Sequence, residues 1–242
     1  MAVNIDLFVL KLRARHGLAG DEEQALRTIH WSERHFDRNE IMVRGADELH
    51  FSMLLLEGFV LRSKIASDGT RQIVETNVPG DFVDLHGFIL KRLEHEISAA
   101  SRCHVALAPH DELRRITERF PRLTRVLWFQ TLVDASIHRE WMLVLGKKRS
   151  RSRVAQFFLE MQARLDIVGL TDSGDYCLPF SQQELADITG MTPVHLNRCL
   201  KELRDGGLVT FRGGRVELHD AARLARDAQF DRGYLHIGMH EI

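Results

Sequence analysis

The sequence predicts an α+β fold in three parts: an N-terminal double-stranded β-helix or jelly-roll domain, a long helix beginning at Pro121, and a C-terminal winged helix-turn-helix domain. Three observations predict it. Short apolar runs broken by turn signals fill residues 34–110. The stretch after Pro121 meets no helix breaker before Gly146. Residues 181–218 read as helix, glycine turn, helix and hairpin. The expected boundaries are 1–120 for the roll, 121–146 for the long helix, 147–222 for the winged domain and 223–242 for a tail.

Composition sets the limits. A chain of 242 residues with 44% hydrophobic content can bury one large or two modest cores. Its longest apolar runs, Met53–Leu56 and Trp141–Leu145, are too short to span a bilayer. The start MAVNIDLFVLKLRARHG lacks the basic lead and long apolar stretch of a secretion signal. A cytoplasmic protein with no membrane partner is therefore expected. Cys103, Cys177 and Cys199 are too scattered for a disulfide framework or a CxxC knuckle, so reduced, mostly buried thiols are expected. A formal charge of -1 means that any nucleic-acid affinity must come from a local patch.

Taken in order, DEEQALRTI at 21–29 reads as a short helix. The strand region follows: LHFSMLLLEGFVLRSKI, a hairpin at Asp68-Gly69, QIVETNV, a Pro79-Gly80 turn, DFVDL and AASRCHVALA. From Asp111 the period turns helical, and ELRRITERF stops at Pro121. In the long helix Leu123, Val126, Val133, Ile137 and Val144 form an apolar stripe that Leu127, Phe129, Leu132 and Trp141 widen. Apolar residues on more than one side favour a helix packed on its own domain and on a partner copy, hence a homodimer; the alternative is a core helix of a monomer. KKRSRSR at 147–153 reads as a solvated junction that can also attract phosphate. VAQFFLEMQARL reads as a helix and TDSGDY as a polar loop.

The C-terminal unit is the most explicit. Ser181 and Glu184 form a capping box, Gly190 ends the first helix, and Thr192 caps a second whose first position is Pro193. At about 100° per residue, Leu196, Cys199, Leu200 and Leu203 share an inward stripe. Val194, Arg198 and Lys201 fall opposite, flanked by His195 and Asn197. Arginine and asparagine fit guanine and adenine edges in the major groove, lysine reaches a phosphate, and Val194 suits a thymine methyl. GLVTFRGGRVEL then forms a hairpin tipped by Arg212 and Arg215 around Gly213-Gly214. Together these make a winged double-stranded-DNA-binding unit, with Thr192, Val194, His195, Asn197, Arg198, Lys201, Arg212 and Arg215 as its candidate contacts.

From about residue 22 to 222 the chain resembles the Crp/Fnr family of bacterial transcription regulators. The carriers are LLLEGFVLRSKIASDGTRQIVETNVPGDFVDL, similar to a cyclic-nucleotide-binding roll, and FSQQELADITGMTPVHLNRCLKELRDGGLVTFRGGRVEL, similar to the family's DNA-binding unit. The resemblance implies a homodimer paired along the long helix on an inverted-repeat operator, with RNA polymerase as a further candidate partner. It also implies that Arg198 reads a guanine. Pro193 and Val194 stand where the cyclic-AMP regulator has arginine and glutamate, so a different half-site is expected.

The resemblance also bears on the effector. Cyclic-AMP-binding members use a glutamate soon after the PGDF-like turn and a later Arg-Ser pair. Here the glutamate's place carries Leu85 or His86, and the Arg-Ser place carries His95-Glu96 or Ile97-Ser98. A buried phosphate needs a cation, so cyclic AMP is not expected in the usual pose; Arg92 and Arg102 are the cations another register would offer. The family's iron–sulfur sensors need four thiolates, so no iron–sulfur cluster is expected from three cysteines. Asp84, His86, His95 and Glu96 are open to a metal, haem, a proton-sensitive role, or plain satisfaction by backbone and water. Cys103 as a redox sensor has little local support. The cofactor and small-molecule effector thus stay unassigned. No GxSxG elbow, phosphate loop or HExxH points to an enzyme. The competing class is a small-molecule or protein-binding module whose helix-turn-helix is structural only.

Overall fold

The structure, a computed structural model, describes residues 3–238. The chain forms two compact units. The first takes the chain up to Ser63, Thr76–Ala135 and the tail from His236; the second takes Lys64–Glu75 and Ser136–Leu235. Met239–Ile242, the end of the expected tail, lie outside the described residues.

The N-terminal half runs α1 (Asp6–Arg13), α2 (Gly20–Arg27), β1 (Ser32–Phe36), β2 (Ile41–Val43), β3 (Phe51–Glu57), β4 (Val60–Ile65), β5 (Arg71–Asn77), α3 (Gly87–Leu90), β6 (Glu96–Ala99), β7 (Cys103–Pro109) and α4 (His110–Arg119). Its strands form two sheets, ordered β1-β7-β3 and β2-β6-β4-β5. The expected single run LHFSMLLLEGFVLRSKI breaks at Gly58, whose φ of 93° lets the chain leave one sheet for the other. The Asp68-Gly69 hairpin forms as expected: Ala66 N donates to Thr70 O at 2.8 Å, and the Asp68 carboxylate accepts from the Thr70 amide and hydroxyl.

Period-two alternation explains the run MLLL. Met53 and Leu55 of β3 face a core between the sheets with Phe36, Val60, Ile97 and Val105. Leu54, between them, faces a second core with Phe8, Leu12, Leu26, Leu113, Ile116, Leu123 and Val126. On β7 the small side chains Ala106 and Ala108 face that helical side. Both faces of β3 are thus covered, which is why its run Met53–Leu55 is continuously apolar, whereas the edge strand β1 (SERHF) buries only Phe36. Helix α1, which the sequence reading did not foresee, buries Phe8, Val9 and Leu12 in this layer.

The long helix α5 spans Pro121–Lys147, and α6 (Ser150–Asp166) follows after two residues. The stripe Leu123, Val126, Val133, Ile137 and Val144 is buried. Helix α6 starts inside the basic run that had been read as a junction; it buries Val154, Phe157, Phe158, Leu159, Met161 and Leu165 around most of its circumference, as the central helix of the second unit. Around it lie β8 (Tyr176–Cys177), α7 (Gln182–Thr189), α8 (Pro193–Asp205), β9 (Val209–Arg212), β10 (Arg215–Leu218), α9 (Ala221–Ala228) and a 3-10 turn at Arg232–Leu235. The strand β8, inside what had read as loop and linker, pairs with β10 to give a three-stranded wing sheet, β8-β10-β9. Cys103 and Cys199 are buried, but Cys177 on β8 is exposed, which corrects the expectation for that thiol.

Candidate nucleic-acid interface

The reading helix is built by its caps. Ser181 Oγ accepts from Glu184 N at 3.1 Å while a Glu184 carboxylate oxygen accepts from Ser181 N at 2.6 Å, completing the capping box of α7. Gly190 closes α7 at φ 63°, in the left-handed region. Thr192 Oγ1 accepts from His195 N at 3.3 Å, and Pro193 opens α8. Leu196, Cys199 and Leu203 are buried and Leu200 half-buried, so the opposite face turns outward: Val194, His195, Asn197, Arg198 and Lys201 are all exposed. Val194 is 74% exposed. Asn197 is partly engaged, since its Nδ2 donates to Gln182 Oε1 at 2.9 Å.

The wing has the turn its sequence demands. Gly213 and Gly214 both adopt positive φ, 59° and 74°, which a two-residue hairpin loop needs and which side chains disfavour. Arg212 and Arg215 are cross-strand partners at its tip. Arg215 is drawn toward Asp175 at 3.6 Å, and both arginines are exposed. The structure also brings the basic run to this face. A groove of about 880 Å³ is lined by Lys147, Arg149, Arg151, His195, Arg198 and Glu202, among others. In the sequence that run reads as a solvated junction able to attract phosphate, and nothing local shows which helix it will neighbour.

On α5, Arg125, Trp128, Leu132, Arg139, Met142 and Gly146 are exposed and Ala135 is half-buried. Their steps alternate three and four residues, the a/d spacing of a heptad seam. Trp128, Leu132 and Met142 are 64%, 50% and 75% exposed.

In the roll, the residues expected around an effector do not line one space. Leu85 belongs to the helical core and Ile97 to the core between the sheets. Asp84 is buried, with Oδ1 accepting from Met53 N at 2.5 Å, and burial pushes its carboxyl up to about 7. The rings of His86 and His95 are 5.5 Å apart, and His95 and Ser98 are buried while Glu96 is half-buried. Among the described residues no group of three or more His, Cys, Asp or Glu is disposed to hold a metal. The two cations expected from another register, Arg92 and Arg102, are exposed. On the strands, Arg62 of β4 is buried instead, 3.7 Å from Asp134 of α5. Cys103 donates to Phe59 O, and burial raises its thiol pKa, which opposes a reactive thiolate.

The Crp-like helix-turn-helix domain family matches residues 152–227, and the cyclic nucleotide-binding domain family matches residues 33–120. The nitrogen fixation regulation protein FixK of Bradyrhizobium diazoefficiens is 31% identical over 196 residues, 78% of this chain and 79% of that protein. The chain belongs to the Crp/Fnr family. Another Crp/Fnr relative, the transcriptional activator protein FnrL of Cereibacter sphaeroides, is 25% identical over 202 residues, 82% of this chain and 81% of that one. The structure of FixK2 from Bradyrhizobium japonicum matches with a TM-score of 0.71 and 25% identity, over 81% of this chain and 96% of that chain. The protein is accordingly a DNA-binding transcription regulator of the Crp/Fnr type rather than a module with a merely structural helix-turn-helix. No helix among the described residues is long and apolar enough to cross a membrane.

Proposed function

We propose that two copies pair along the α5 seam and set their α8 helices into successive major grooves of an inverted-repeat operator, with half-site centres about 34 Å apart. The observation that carries this is the exposed α8 face beside a basic wing, on a chain whose long helix exposes Trp128, Leu132 and Met142 at heptad spacing. Arg198 reads a base edge, Val194 packs on a base methyl, and Thr192, His195, Asn197, Lys201, Arg212 and Arg215 position the backbone. Lys147, Arg149 and Arg151 extend the cationic track along the phosphates. The name of FnrL, a transcriptional activator, supports regulation by activation; RNA polymerase is the partner that this reading adds. A cytoplasmic location accords with that role.

The roll does not hold cyclic AMP in the family's usual pose. In support, no arginine stands at the expected phosphate position, and the buried Arg62 already faces a carboxylate from α5. The test is selection of bound sequences from a random duplex pool, followed by titration at several salt concentrations. The reading expects an inverted repeat and affinity that falls steeply with salt. Enrichment of single, unrepeated sites, or salt-independent binding, would overturn it. Stabilisation of the protein by micromolar cyclic AMP would overturn the effector reading alone.

A further inference from the structure

The segment that follows α9 is tied to the joint between α5 and α6. Glu160, on α6, is 1% exposed, and its carboxylate collects donors from three segments. Trp141 Nε1 of α5 donates to it at 2.9 Å, Tyr234 OH of the terminal segment at 2.8 Å, and Arg164 Nη1 of α6 itself at 3.3 Å. The Tyr234 hydroxyl in turn accepts from Gln156 Nε2 at 2.9 Å, and Gln156 is fully buried. A second tie starts at Lys148, one of the two residues between α5 and α6. Its ammonium donates to Gln156 Oε1 at 2.8 Å and to the Ala228 and Gln229 carbonyls at 3.1 Å each, satisfying the open C-terminal carbonyls of α9.

A two-residue connection between helices admits a few discrete geometries; buried, charge-assisted hydrogen bonds select one of them. From this we infer that the segment from Ala228 to Leu235 is a brace that fixes the angle between the end of α5 and α6, making Tyr234 a positioning residue for DNA recognition. This rests on the proposed dimer, because the seam lies on α5 and the reading face is carried by the unit built on α6. Tyr234 touches no DNA in this scheme. It acts by holding two reading helices at one separation.

The experiment uses the full chain and its Tyr234→Phe and Lys148→Met variants. Tyr234→Phe deletes one hydroxyl and keeps the ring that packs edge-on against Phe230. Each protein is titrated against a symmetric operator, the same operator with one base pair added or removed at its centre, and an isolated half-site, with dimer content followed by sedimentation. The brace predicts that both variants stay dimeric and bind the half-site as the wild type does. Preference for correct over altered spacing should fall by about tenfold, the scale of one hydrogen bond to a charged group. Unchanged spacing preference in both variants would overturn the brace while leaving the dimer reading intact. Equal loss on every duplex, half-site included, would also overturn it, since that is damage to the reading unit. A wild type indifferent to spacing would instead sink the dimer reading on which the brace rests.

Discussion

Asn197 donates its side-chain amide to Gln182 at 2.9 Å, linking the reading helix α8 to the start of α7. A donor already committed across the helix pair is less free to grip a base, and this separates Asn197 from its neighbour Arg198. In the proposed complex the bidentate grip is assigned to Arg198.

Arg198→Ala is expected to cost about 1–3 kcal/mol per half-site of the cognate operator and to flatten preference at one base pair of each half-site. Asn197→Ala is expected to cost about 1 kcal/mol of folding stability and to weaken all sequences alike. Competition binding against single-base operator variants checks both; a sequence-specific loss in Asn197→Ala would return that residue to base reading.

At the wing, Arg212→Ala removes one phosphate contact from each protomer of the dimer, so the slope of log affinity against log salt should fall by about 1.8. Base preference should be unaltered. Arg215→Ala should change the slope less, because Asp175 already shares that charge at 3.6 Å. Titrations between low and moderate salt measure the two slopes directly.

Leu132→Asp should dissolve the pair of chains. Placing two carboxylates against each other in the seam forfeits the burial of two leucines, about 3 kcal/mol or more, and weakens dimerisation by at least roughly a hundredfold. The monomeric variant should keep its helical content and lose operator binding. Sedimentation at matched concentrations would reveal an unchanged dimer if another surface joins the copies.

Two buried groups pull stability with pH in opposite directions. Asp84, held neutral by burial up to about 7, favours the fold fully below its unfolded value near 3.8, and that benefit drains away as pH rises to about 7. His110, lowered to about 4 by burial and then by Lys91, favours the fold above 6.5 and loses that benefit as pH falls to about 4. Across the shared window the slopes oppose. Asp84→Asn should therefore stabilise the protein by up to about 4 kcal/mol above pH 7, and leave a stability that rises from pH 4 to 6.5. Denaturant melts of that variant would show no such rise if His110 is not buried as described, and no stabilisation above pH 7 if Asp84 is not.

What the sequence disclosed and what it withheld divide by range. The capping box at Ser181, proline at the first turn of α8 and the paired glycines of the wing are signals confined to a few residues, and all reappear in place. Strand β8 is two residues long and is a strand because β10 lies beside it, which no local pattern encodes. Helix α1 begins at Ile5 with no side-chain cap, so its start carried no signature. Arg62 was missed for a related reason. In an alternating strand a charged residue reads as outward, and its burial depends on Asp134, far along the chain. The Glu160 cluster likewise gathers donors from Trp141 and Tyr234, distant in sequence.

Cys177 sits exposed on β8, the outer strand of the wing sheet. Air oxidation of a concentrated sample would bridge two chains through that thiol, wing to wing, and the product would have the mass of a seam dimer while presenting its reading helices in an unrelated geometry. Estimates of self-association and cooperativity on DNA hold for the seam only if they persist under reductant, and a Cys177→Ser chain is the cleaner starting material for every titration above.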